Sequence, residues 1–178
     1  MILDLKHKFC FIHIPRTGGK LITHLLKPLL TMDGFFGGGC LRHIPAKHIP
    51  VKLCLPQEIY DILWKFTIYR PVNEVKESMV RLVEYDLNTY KKKRDSVVFA
   101  GHWKRVLDTA DTEGYDKAIE LIWDYGCWPH EEEKWRRFWI CDDYGKQIVD
   151  TVYEFSKDKF SLIIKDIMAK ILPEVGAK

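Results

Sequence analysis

FIHIPRTGGK, residues 11–20, runs apolar and aromatic side chains straight into a proline, an arginine, a threonine and two glycines. An apolar run ended by Pro15 reads as the close of a buried strand, because proline has no amide hydrogen to give to a sheet. Extended backward, that strand covers residues 9–14. Extended forward, Leu21, Ile22, Leu25, Leu26, Leu29 and Leu30 recur with the period of an amphipathic helix over residues 19–30, with Pro28 as the place for a bend. Strand, glycine-rich loop and helix in that order bring unpaired helix amides and the positive end of a helix dipole to the loop. Gly18 and Gly19 have no side chain to hold an anion away from those amides, and Arg16, Thr17 and Lys20 add charge and donors. The loop reads as an oxyanion cradle.

The same order recurs. KFTIYR, residues 65–70, is a second buried strand, and a helical pattern follows over residues 72–90 with Val75, Met79, Leu82 and Val83 on one face. Between the two units, DGFFGGGCL is a flexible link, HIPAKHIP is too rich in proline for a long helix, and PQEIYDILW has a proline start and helical spacing. Further helices are expected over residues 97–107, 115–125 and 131–139. WICDDYGKQIVDTVYEF, residues 139–155, reads as two extended pieces around a DDYG turn, and Ser156 as the cap of a last helix reaching Leu172. Alternating strands and helices favour a three-layer α/β/α fold with a mainly parallel central sheet, in one domain over residues 1–178.

Composition sets bounds on function. The chain has 178 residues, 47% of them hydrophobic and 30% charged, which describes a folded protein with a real core. A net charge of +3 lacks the basic excess of a nucleic-acid binder, so no nucleic-acid partner is expected. Cys10, Cys40, Cys54, Cys127 and Cys141 are odd in number and form no C-x-x-C pair, so reduced thiols are expected rather than a zinc site. Asp4, Lys6 and Lys8 interrupt the apolar start, and no stretch approaches the roughly 20 apolar residues of a membrane span. A cytoplasmic protein without a membrane partner is the expectation.

A nucleoside-triphosphate P-loop needs a glycine five residues before the Gly-Lys pair and a hydroxyl residue straight after it. Ile14 and Leu21 occupy those positions, so a kinase would need an aberrant P-loop. What HIPRTGGK, residues 13–20, resembles is the "HIPKTGGT" 5′-phosphosulfate loop of sulfotransferases that use 3′-phosphoadenosine 5′-phosphosulfate (PAPS), in the branch of the heparan sulfate 2-O- and 6-O-sulfotransferases. That family's second signature, an arginine ending a strand and a serine eight residues on, is matched by Arg70 and Ser78. RHIPAKHIP with PQEIYDILW is similar to the "HATA"-like segment and acidic helix of small relatives, and IVDTVYEFSKDKFSLI to the closing "VDFIGRFENLEEDF" element.

The resemblance implies a P-loop-like sulfotransferase fold and sulfuryl transfer from PAPS to a small-molecule or glycan hydroxyl, leaving 3′-phosphoadenosine 5′-phosphate (PAP), with no metal required. It gives the 5′-phosphosulfate to Arg16, Thr17, Gly18, Gly19 and Lys20, and the 3′-phosphate to Arg70 and Ser78. It makes His43 the catalytic base, with His48 as the alternative, and Arg16 and Lys20 the groups that stabilise developing charge. Arg16 stands where relatives carry Lys and Lys20 where they carry Thr or Ser; in place of "R-[DN]-P-x-x-R" the chain has the proline early, at Pro71, and Val75 at the second arginine's position, with Lys76 as a shifted substitute. Those departures keep a non-catalytic PAPS- or PAP-binding relative as the second hypothesis. His13 reads as a core histidine within its strand, and His102 as a surface or packing residue.

Overall fold

The computed structural model describes residues 2–29, 35–36, 56–92 and 101–172. Two compact units divide the chain, Met1–Arg70 with Arg136–Lys178 in the first and Pro71–Trp135 in the second.

The first unit is built on a mixed sheet. β1 (Ile2–Asp4) and β2 (Phe9–Ile12) form an antiparallel hairpin. Its turn is fastened by Asp4, whose carboxylate accepts the His7 amide at 3.0 Å and lies 3.0 Å from the His7 ring nitrogen. β3 (Phe35–Phe36) pairs antiparallel on the other edge of β1. β4 (Trp64–Tyr69) lies parallel to β2, with Phe11 opposite Phe66, and β5 (Thr151–Glu154) lies parallel to β4, giving the order β3-β1-β2-β4-β5. The α/β class is as expected from the alternation of elements. The sheet, however, is parallel only across β2, β4 and β5. The hairpin and β3 make the remainder antiparallel, because the short turn after Asp4 reverses the chain where a parallel neighbour would need a crossover.

Strand alternation gives this sheet two different faces. On one, Phe9, Phe11, Phe66 and Ile68 pack with Ile22 and Leu26 of α1 (Gly19–Leu26) and with Ile163, Ile167 and Ile171 of α7 (Phe160–Ile171). On the other, the buried Lys65 ammonium lies 3.0 Å from Asp150, donates to the Leu63 carbonyl at 2.7 Å, and sits 4.9 Å from the ring of Tyr60 on α2 (Gln57–Ile62). Arg136, in α6 (Glu132–Ile140), covers the Tyr69 ring on that face at 4.8 Å. α1 passes into a 3-10 turn over Lys27–Leu29, as expected where Pro28 removes an amide from the helical ladder. α7 begins at Phe160 with Lys159 at its cap and no capping side chain, so Ser156 is not its N-cap.

The second unit is helical: α3 (Val72–Lys92), α4 (Gly101–Thr112), α5 (Tyr115–Gly126) and the start of α6. Val75, Met79, Val83 and Leu87 bury one stripe of α3. Trp123 is fully buried, stacked on Trp135 at 5.9 Å and edge-on to Trp128 at 5.4 Å. The Val72 amide, at the open end of α3, donates to the Glu132 carboxylate at 2.7 Å, a favourable place for negative charge. The helix expected over residues 97–107 is described from Gly101 and runs on to Thr112. Among the described residues no helix is long and apolar enough to cross a membrane.

Candidate functional site

Residues 13–18 join β2 to α1. Thr67 holds the end of β2 by donating from Oγ1 to the Ile12 carbonyl at 2.7 Å. Thr17 is fully buried, and its Oγ1 donates to the Ile14 carbonyl at 2.9 Å, closing the turn. The Thr17 hydroxyl hydrogen is therefore spent inside the loop. Thr23 is similar, donating back to the Gly19 carbonyl at 2.7 Å.

Arg16 and Gly18 both have left-handed backbone, with φ of 62° and 81°. A left-handed residue followed by the right-handed start of a helix turns successive amides toward one concavity, a geometry suited to anions. The first helical bonds run from the Leu21 and Ile22 amides to the Gly18 carbonyl, at 2.9 and 3.3 Å, so the Gly19 and Lys20 amides precede the ladder. Gly18 stands at the cap position of α1 and has no side chain to bond these amides. Lys20 is exposed on the first turn.

Both glycines also have reasons that lie within the protein. A Cβ on Gly18 would stand 3.1 Å from the Phe160 ring and 3.3 Å from Phe155, in addition to the left-handed φ. A Cβ on Gly19 would collide with His13. His13 is half-buried rather than a core residue, and its ring stacks on Phe11 with centroids 5.9 Å apart.

Arg70 follows β4 directly. Its Nη1 donates to the Arg16 carbonyl at 3.2 Å, and its guanidinium lies 4.6 Å from the Phe155 ring. Phe155 follows β5, and its amide donates to the Tyr69 carbonyl at 2.7 Å. The loop, Arg70 and Phe155 thus gather at the carboxyl ends of three adjacent parallel strands, where open α/β sheets hold ligands. Arg16 through Lys20 and Arg70 come together in this way. Ser78 belongs to the second unit, where it is buried two turns into α3. His43 and His48 lie outside the described residues.

The part played by His13, Phe155 and Phe160 was not read from the sequence. Phe155 and Phe160 carry a faint signal as aromatics flanking a charged turn, whereas nothing in the spacing of His13 and Gly19 marks their contact. In the second unit a groove of about 490 Å³ between α3 and α5 is lined by Lys76, Asp116, Glu120 and His130 among others, and contains none of the expected site residues. Among the described residues no group of three or more His, Cys, Asp or Glu side chains is arranged to hold a metal ion. Compared with known protein families, curated proteins and solved structures, the chain finds no match.

Proposed function

We propose that this chain is a PAPS-dependent sulfotransferase, a single cytoplasmic domain of P-loop-like three-layer fold that transfers the sulfuryl group to an acceptor hydroxyl, with a carbohydrate as the acceptor class. The observation that carries this most is the hydrogen bond from Arg70 to Arg16. Two segments that resemble separate signatures of one family, 54 residues apart, meet through it at the ends of neighbouring parallel strands. The donor set fits an oxyanionic nucleotide: the amides at the start of α1, behind a glycine at the cap position, the exposed amine of Lys20, and the planar fork of Arg70.

Sulfuryl transfer is an in-line displacement that asks the protein mainly for positioning and charge stabilisation. His43 takes the proton of the acceptor hydroxyl as that oxygen bonds to sulfur; the bond from sulfur to the 5′-phosphate oxygen breaks, and PAP leaves with the electron pair. Lys20, Arg16 and the Gly18–Lys20 amides meet the charge that develops on the leaving phosphate. The resemblance gives the 3′-phosphate to Arg70 and Ser78, and that sequence signature favours PAPS over a donor lacking the phosphate. No metal enters the scheme.

A non-catalytic PAP-binding relative is the second hypothesis, favoured by one observation: the Thr17 and Thr23 hydroxyl hydrogens both go to backbone carbonyls, and Lys20 has replaced the hydroxyl residue of relatives. A kinase with an aberrant P-loop is the third. Transfer of labelled sulfate from PAPS to a panel of glycans, with and without His43→Ala, separates the first two. An enzyme labels at least one acceptor and loses the label in the variant. Binding of PAP with no transfer to any acceptor would leave the binder, and full activity of His43→Ala would remove His43 as the base.

A further inference from the structure

Gly19 opens α1, and a Cβ built on it would lie 1.9 Å from Cδ2, 2.1 Å from Nε2 and 2.8 Å from Cγ of His13. Contacts under 3.0 Å are essentially never made by real Cβ atoms, so any side chain at 19 must displace the ring or the helix. The ring is not a loose end. It stacks on Phe11 at an interplanar angle of 21°, and Phe11 is fully buried in the sheet core. A continuous stack therefore runs from the core through Phe11 and His13 to the Cα of Gly19. Because a helical Cβ points back toward the helix N-terminus, the ring occupies the space in front of the first turn of α1.

We infer that His13 is the positioning residue of the oxyanion loop. Its ring takes the place of a side chain at 19 and sets where the first turn of α1 stands, and with it the Gly19 and Lys20 amides that face the anion. The role needs the volume and support of the ring, not a proton on it. This inference rests on the oxyanion function proposed for the loop, and it adds a residue that the resemblance to sulfotransferases does not assign. It also accounts for glycine at 19: the ring and a side chain there exclude one another.

The test is a double-mutant cycle on the full chain, with inorganic sulfate as the probe and the amide resonances of Gly18, Gly19 and Lys20 as the readout. Wild type binds saturably at those amides. His13→Ala weakens sulfate by about fivefold or more, and Gly19→Ala in the wild-type background by about tenfold or more. In the His13→Ala background the methyl of Gly19→Ala has room, and the further change is less than about twofold. If Gly19→Ala fails to fold, the comparison of His13→Ala with the double variant decides: a further loss of about tenfold overturns the inference. Equal factors in the two backgrounds also overturn it, as do variants whose Tm falls while sulfate affinity is unchanged, and a wild type that binds no sulfate. Coupling seen with sulfate but no binding of PAP leaves the inference standing and removes the sulfotransferase; binding of PAP without coupling does the reverse.

Discussion

Arg70 donates from Nη1 to the carbonyl of Arg16 at 3.2 Å while its guanidinium rests on the Phe155 ring at 4.6 Å. The carbonyl it holds belongs to a non-glycine residue at φ 62°, a conformation that costs about 1–3 kcal/mol and persists only where its surroundings impose it. Arg70 is part of that imposition. Its replacement removes a charged donor and releases the loop together. Arg70→Ala is expected to lower stability by about 1.5–3 kcal/mol in urea denaturation and to weaken PAP by about tenfold or more. Arg70→Lys keeps the charge but loses the planar stack on Phe155, and falls between the two.

Gly18 carries two constraints. Its φ of 81° disfavours a side chain, and Phe160 and Phe155 crowd the place a Cβ would take. Gly101, at φ 66°, has nothing among the described residues within 4 Å of such a Cβ. Alanine at 101 should cost only the left-handed backbone term, about 1–2 kcal/mol, and alanine at 18 about 1–3 kcal/mol more. Chemical denaturation of the two variants measures the difference. Equal costs would show that the aromatic pair yields freely.

Cys10 sits on the second sheet face, fully buried beside Lys65, and burial pushes its thiol up to about 12. Cys127 is exposed. Brief iodoacetamide treatment at a pH near the ordinary thiol pKa should modify Cys127 and spare Cys10, as read by peptide mass spectrometry. The stability consequence has a definite sign. The folded state holds the Cys10 proton more tightly than the unfolded chain, so this contribution is complete below about 8.5 and is lost as pH rises toward 12.

His102 behaves in the opposite sense. Its ring stacks on Tyr125 with centroids 4.0 Å apart, and burial, helped by Arg105, holds its pKa below the ordinary imidazole value. The unfolded chain takes up a proton that the folded state resists. Stability from this group is therefore present above about 6.5 and declines as pH falls below it. His102→Gln should flatten the acid limb of a Tm against pH profile between neutral pH and the onset of carboxylate protonation.

The elements bordering the candidate site were legible in the sequence because each has a strong local pattern. Phe9–Ile12 is an uninterrupted apolar run, Trp64–Tyr69 is rich in aromatic and β-branched residues around Lys65, and α1 and α3 show helical periodicity. β1 was not legible: three residues ending in Asp4 form a strand only because Phe9–Ile12 is there to pair with them. The antiparallel share of the sheet was hidden for the same reason. Ser156 looked like a cap, yet α7 starts at Phe160, whose ring packs near Gly18; tertiary packing outweighed local capping chemistry there.

Within the site, sequence spacing was enough to set Arg70 at the end of a strand. That it would reach the Arg16 carbonyl depends on the parallel register of β2 and β4, in which Ile12 lies opposite Thr67, and no local pattern encodes a register between strands 55 residues apart. The contact of His13 with Gly19 is illegible on the same ground. It depends on how sharply the loop turns at Arg16 and Gly18, and a left-handed arginine has no signature of its own.

Calorimetric titration of the full chain with PAP, in buffer without magnesium, bears on the sulfotransferase most directly. One-to-one saturable binding, weakened about tenfold or more by Arg70→Ala, is the expected result. Absence of PAP binding, or binding of ATP that requires magnesium in its place, would contradict it.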